Sequence, residues 1–115
     1  MIEVEGGEIW WADLREPRRS EPGYKRPVVI LQADSFNRSH IKAVIVGFVT
    51  GNLDLAAVPG NVFITARSSG LNRDSVVHLS QVVTLDRSYL TERVALLPAN
   101  VQGRIDSALR EVLAL

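Results

Sequence analysis

The chain has 115 residues, thirteen of them basic and thirteen acidic, so it is formally neutral at pH 7. A neutral chain argues against a general nucleic-acid coat, which needs a basic face. The absence of cysteine excludes a disulfide framework, a thiolate metal site and a cysteine nucleophile. Residues 1–115 read as a single domain, long enough to bury a stable core. The start of the chain carries Glu3, Glu5 and Glu8 and no basic residue, unlike the positive start of a signal peptide. The longest apolar runs are too short to cross a bilayer. A cytoplasmic protein with no membrane contact is therefore expected.

In chain order, the segment 8–14 (EIWWADL) reads as an aromatic-rich strand that ends at a charged, proline-containing loop. Trp10 and Trp11 are adjacent on it and so face opposite sides. Either the strand is sandwiched between two layers of core, or one Trp lies at an interface, in a groove or under a helix. The segments 27–33 (PVVILQA) and 41–50 (IKAVIVGFVT) are continuous apolar runs, expected to be buried on both faces. The segment 61–66 (NVFITA) alternates as a half-buried strand does. The segment 74–86 is one long strand or two short ones, and 93–97 (RVALL) is a short last strand. Between them, GN, PGN and SGLNRD are turn-forming stretches. From Pro98 onward, Val101, Ile105, Leu109, Val112 and Leu113 fall at helical spacing, predicting a C-terminal helix. The fold class expected is α+β, a strongly bent antiparallel sheet or small barrel with that helix packed on it.

The basic charge is concentrated. Arg15, Arg18, Arg19, Lys25 and Arg26 share residues 15–26 with only Glu16 and Glu21. Arg26 precedes Pro27, which biases its backbone towards extended conformations. Its planar fork of donors suits phosphate oxygens; the competing reading is a loop salt bridge to Glu21, a weak interaction if exposed. Thr50, at the mouth of an apolar strand, could contact a ligand or simply bond a nearby backbone group. His40 and His78 have no ligand spacing, and no phosphate-loop, dinucleotide-loop or nucleophile-elbow pattern occurs. Neither a metal nor a cofactor is expected.

The order of these pieces resembles the MazF/PemK (Kid) family of toxin endoribonucleases. GEIWWADL is similar to that family's opening strand, and SEPGYKRPVVIL to its S-E-x-x-x-x-R-P segment. AVIVGFVT resembles the strand that ends in its Thr. GLNRDSVVHLSQVVTLDRSYL is similar to its G-L-x-x-D-S…Q-[IV]-R-T segment, and the final helix fits as well. The resemblance implies a small SH3-like bent sheet or barrel, shared with the CcdB fold, acting as a homodimer. It also implies metal-independent cleavage of single-stranded RNA at short sequences. Carried over, Arg26 and Thr50 match the catalytic Arg and Thr. Ser20 and Glu21 match the loop residues beside the site, and Gln81 matches the Gln near the RNA groove. Arg18, Arg19, Lys25 and Asn37 are candidate liners of that groove, with a solvated surface role as the alternative for each. Two positions depart from the pattern: Arg19 stands where the family has Gly, and Val83 where it has Arg. Both bear on sequence preference more than on activity.

The reaction so implied is attack of a 2′-OH on its neighbouring phosphate, leaving a 2′,3′-cyclic phosphate and a 5′-OH end; DNA lacks the attacking group. Inhibited translation and growth would follow, with a cognate MazE-like antitoxin as neutralising partner and DNA reached only through that antitoxin. Glu21 either serves as the base or positions Arg26. The alternatives are a non-enzymatic gyrase poison of the CcdB type, a small-barrel binding module without activity, and a weak enzyme inside the family.

Overall fold

A computed structural model describes residues 2–14 and 25–115. Six strands form one sheet: β1 (Glu8–Asp13), β2 (Lys25–Ile30), β3 (Ala43–Thr50), β4 (Val62–Ile64), β5 (Ser75–Asp86) and β6 (Leu90–Leu96). Their order is β4-β5-β3-β2-β1-β6, with every neighbouring pair antiparallel. Single helical turns lie at α1 (Asp34–Asn37) and α2 (Ala66–Ser69), and 3-10 turns at Leu53–Ala57 and Arg87–Tyr89. The long helix is α3 (Ala99–Leu113). The sheet curls into a half-barrel, and α3 packs against β4 and β5.

The continuous apolar run of β2 has its predicted consequence. Val28, Val29 and Ile30 are all buried, and they divide between two cores on opposite faces of the sheet. Val29 joins Ile9, Val49, Val62, Ile64, Val77, Leu79 and Leu97 under Val101 and Ile105 of α3. Val28 and Ile30 join Val4, Trp10, Ala12, Val44, Val46 and Leu90 on the other side. Alternation along β1 places Trp10 in that second core and turns Trp11 the opposite way, half-buried.

The bend has a visible cause in β5. It pairs with β3 through Gly47↔Val82 on one side of a register break and Phe48↔His78 on the other. Leu79, Ser80 and Gln81 are the excess residues, as in an enlarged β-bulge, a device that turns a strand sharply. Two of the freed N–H groups find one partner. Asn61 Oδ1 accepts from Leu79 N–H (3.1 Å), Ser80 N–H (3.4 Å) and Ser80 Oγ (3.2 Å), while Asn61 Nδ2 donates to the Leu55 carbonyl (3.1 Å).

Two expectations are revised. The apolar run of β3 is not buried on both faces, because Ile45 lies beyond the bulge, where α3 no longer covers the sheet, and is 39% exposed. The apolar stripe of α3 serves the core only as far as Leu109; Val112 and Leu113 extend past it and are exposed.

Candidate active site

Arg26 and Thr50 come together through strand register. β2 and β3 pair as Val28↔Phe48, Val29↔Gly47 and Ile30↔Val46. Carried two residues further, that register brings Arg26 level with Thr50. The same row continues outward, with Ala12 beside Arg26 and Val76 beside Thr50. Pairing of β2 with β1 runs through Pro27 to Lys25, whereas pairing with β3 stops at Val28. Pro27 has no N–H to give to a ladder, and the seam between β2 and β3 opens there.

A cavity of about 430 Å³ occupies this end of the sheet. Its walls are Trp11 from β1, Lys25, Arg26 and Pro27 from β2, Val49 to Gly51 from the end of β3, and Leu71, Asn72, Arg73 and Ser75 from the approach to β5. Among the described residues, three cations and no carboxylate line it. In a chain of zero net charge this is a local excess of positive potential, suited to an anion. The Arg26 side chain is exposed and makes no hydrogen bond or ion pair with a described residue.

The Thr50 hydroxyl has a local partner. Its Oγ1 accepts from the Asn52 N–H at 3.2 Å, closing the turn after β3. That bond uses a lone pair and leaves the hydroxyl proton available for donation. The site therefore offers a guanidinium fork, a hydroxyl donor, an ammonium and an aromatic face. Such a set can hold a phosphodiester and a base next to it. Among the described residues, no carboxylate or imidazole is a wall of this cavity, and no group of three or more His, Cys, Asp or Glu side chains is placed to hold a metal ion.

Arg18, Arg19, Ser20 and Glu21 lie outside the described residues. Lys25 is a wall of the cavity. Gln81 is exposed on the β5 bulge and is not a wall of this cavity. Asn37 is corrected. It is only 4% exposed, its amide donates to the Gln32 carbonyl (2.8 Å) and Asp34 Oδ1 (3.1 Å), and its Oδ1 accepts from Gln32 Nε2 (3.1 Å). Its polar groups hold the α1 turn and are unavailable as a groove liner. Trp11, Gly51, Arg73 and Ser75 are among the walls that sequence reasoning did not select. Their signal is positional: each stands beside the end of a strand already assigned to the site.

Comparisons with known proteins bear on the family and the fold. The family model of the PemK-like, MazF-like toxin of type II toxin–antitoxin systems matches residues 5–113. The chain is 45% identical over 112 residues to Endoribonuclease MazF6 of Mycobacterium tuberculosis, covering 97% of this chain and 98% of that one. It is 36% identical over 112 residues to Endoribonuclease EndoA of Bacillus subtilis, covering 97% and 96%. Among solved structures, an endoribonuclease in complex with its cognate antitoxin from mycobacterial species superposes with a TM-score of 0.77 at 20% identity. That match covers 100% of this chain and 97% of the other, and it establishes the shared fold.

Proposed function

Since the chain belongs to the PemK-like, MazF-like toxin family of type II toxin–antitoxin systems, we propose that it is a sequence-specific, metal-independent endoribonuclease. Its substrate is single-stranded RNA, messenger RNA above all. The observation that carries this reading is the Arg26–Thr50 pair, level across two strands in a cavity walled by cations.

In the proposed reaction the 2′-oxygen attacks the adjacent phosphorus, and a base takes the hydroxyl proton. The bond from phosphorus to the 5′-oxygen breaks, and that oxygen takes up a proton. The products are a 2′,3′-cyclic phosphate and a 5′-OH end. Negative charge grows on the non-bridging oxygens as the phosphorane forms. Fixed donors aimed at such charge are commonly the largest contribution to catalysis. Arg26 supplies two of them from one planar group, and the Thr50 hydroxyl supplies another. A guanidinium is a strong hydrogen-bond donor and a very weak base, which suits Arg26 to stabilising charge on the phosphorane and on the leaving oxygen and not to the role of base. A carboxylate can act as a general base, which gives Glu21 that role; its alternative role is to hold Arg26 in position. Trp11 offers a face on which a splayed base can stack.

The chain works as a homodimer in the cytoplasm, and a cognate antitoxin silences it. Support for the partner comes from the antitoxin-bound mycobacterial relative of the same fold. Unneutralised, the enzyme degrades messenger RNA and so arrests translation and growth.

The test is cleavage of a long single-stranded RNA in excess EDTA by the wild-type chain and Arg26→Ala, with the cut ends mapped. Cuts at one short motif, with 5′-OH ends, that disappear in the variant are the expected result. Intact RNA with pure folded wild-type protein would sink the reading, and a gyrase-cleavage assay would then test the poison alternative.

A further inference from the structure

The cavity beside Thr50 contains a second guanidinium for which the reaction above has no use. Arg73 comes from the turn that leads into β5, and it lies directly on Gly51, the residue after Thr50. A Cβ built on Gly51 would overlap Nη2, Cζ and Nε of Arg73, so a side chain there would displace the guanidinium from this position. No described residue forms a hydrogen bond or an ion pair with that guanidinium. The adjacent acid is committed elsewhere, since the Asp74 carboxylate accepts from the Ala66 N–H at 2.8 Å, at the start of α2.

The backbone that carries Arg73 is fixed from both sides. The buried Ser75 donates its hydroxyl to the Arg73 carbonyl at 3.2 Å, and the buried Ser69 accepts from the Leu71 N–H at 3.1 Å. A long cation with no carboxylate partner among the described residues, on a pinned turn and seated against a side-chain-free strand end, is arranged for a ligand and not for packing.

We propose that Arg73 binds a second phosphate of the RNA, next to the one that Arg26 and Thr50 hold, and that Gly51 is the seat that positions it. This rests on the endoribonuclease reading and extends it: the site grips the backbone at two phosphates and so fixes which bond is presented for cleavage. Arg73 then contributes mainly to binding and register, Arg26 mainly to the chemical step.

The probe is a short single-stranded RNA carrying the cleavage motif, 2′-O-methylated throughout so that it cannot be cut. Its affinity for the wild type, Arg73→Ala, Arg73→Lys, Gly51→Ala and the double variant Arg73→Ala/Gly51→Ala is measured by fluorescence anisotropy over a range of salt concentrations. Circular dichroism confirms that each is folded. Loss of one phosphate contact reduces the slope of log K against log salt by about 0.7 for a single strand. Arg73→Ala and Gly51→Ala are both expected to show that reduction, and the double variant to be no worse than either, because both remove the same contact. Arg73→Lys is expected to recover the slope, since it keeps the charge. Wild-type affinity and slope in folded Arg73→Ala would overturn the proposal while leaving the nuclease intact. Reductions that add in the double variant would overturn the seating on Gly51. Failure of the wild type to bind the probe or to cut unmodified RNA would instead mean that the underlying reading is wrong.

Discussion

Asn61 and Leu79 are eighteen residues apart in the chain and joined at the bend of the sheet, where the Asn61 carboxamide oxygen accepts the Leu79 backbone N–H at 3.1 Å. One side chain thus takes up donors that the enlarged bulge of β5 strips from the ladder. Asn61→Ala leaves those donors without partners, at about 1–3 kcal/mol for a buried group. We expect chemical denaturation to show a loss in that range. Asn61→Asp, which keeps the acceptor, should lose less. Equal stability of the alanine variant and the wild type would show that the bulge holds itself.

Catalysis should separate the two residues of the central row. Arg26→Ala is expected to lower single-turnover cleavage by ~100-fold or more, the usual effect of losing one fixed donor. Arg26→Lys should recover only part of it, because an ammonium lacks the planar fork. Thr50→Ser should stay close to wild type and Thr50→Val should not, a contrast read from cleavage rates at saturating enzyme. Matching rates for Ser and Val would remove the hydroxyl from the mechanism.

Acid stability has a component at Asp34. Its carboxylate accepts from the Gly6 N–H at 2.7 Å and from the Asn37 amide, and these bonds, with Arg38 nearby, hold its pKa below the ordinary 3.8. A carboxyl group lowered in the folded state binds fewer protons there than in the unfolded chain. Its stabilisation is therefore complete above the ordinary value and lost as pH falls through the lowered one. The Asp34→Asn variant should be less stable than wild type at neutral pH, and the difference should shrink as pH drops below about 4. Asp86, lowered chiefly by the Ser88 N–H, contributes to both proteins alike and cancels in the comparison. A difference that does not change with pH would show that the Asp34 charge contributes nothing.

The start of β1 depends on a positive φ. Gly7 has φ of 87°, its N–H donates to the Ile30 carbonyl (2.8 Å) and its carbonyl accepts from Leu97 N–H (3.0 Å). Gly7→Ala places a non-glycine residue at strained geometry, of order 1–3 kcal/mol. It also drives the new methyl into the Gln102 carboxamide, which otherwise donates to the Leu97 carbonyl at 2.8 Å. Thermal unfolding should show the loss without any change in the cleavage motif.

Much of this fold is legible in the chain because its strands obey simple rules. Val28–Ile30 are apolar without interruption and are buried on both faces; Val62 and Ile64 alternate with the less buried Phe63. Trp10 and Trp11 part company by strand geometry alone. Less legible were features set by tertiary context. Nothing local marks Asn37 as buried; its environment depends on Arg87, which reaches from fifty residues away to donate to the Asn37 carbonyl at 2.7 Å. The bulge that exposes Ile45 depends on the length mismatch between β3 and β5, which neither strand reveals by itself. In the site, Arg26 was readable through its neighbour Pro27 and through family resemblance. Arg73 sat in what reads as an ordinary turn, and only the packing against Gly51 distinguishes it.

Pro27 gives the cavity a property that no side chain could supply. The pyrrolidine ring lacks the hydrogen that would continue the β2–β3 ladder, so the parting of the two strands is written into the covalent structure. The β2–β3 ladder ends at Val28, and the strand ends beyond it carry Arg26 and Thr50 as walls of the cavity. The gap is thus a product of backbone chemistry, and any other residue at position 27 would return to the sheet the donor it lacks.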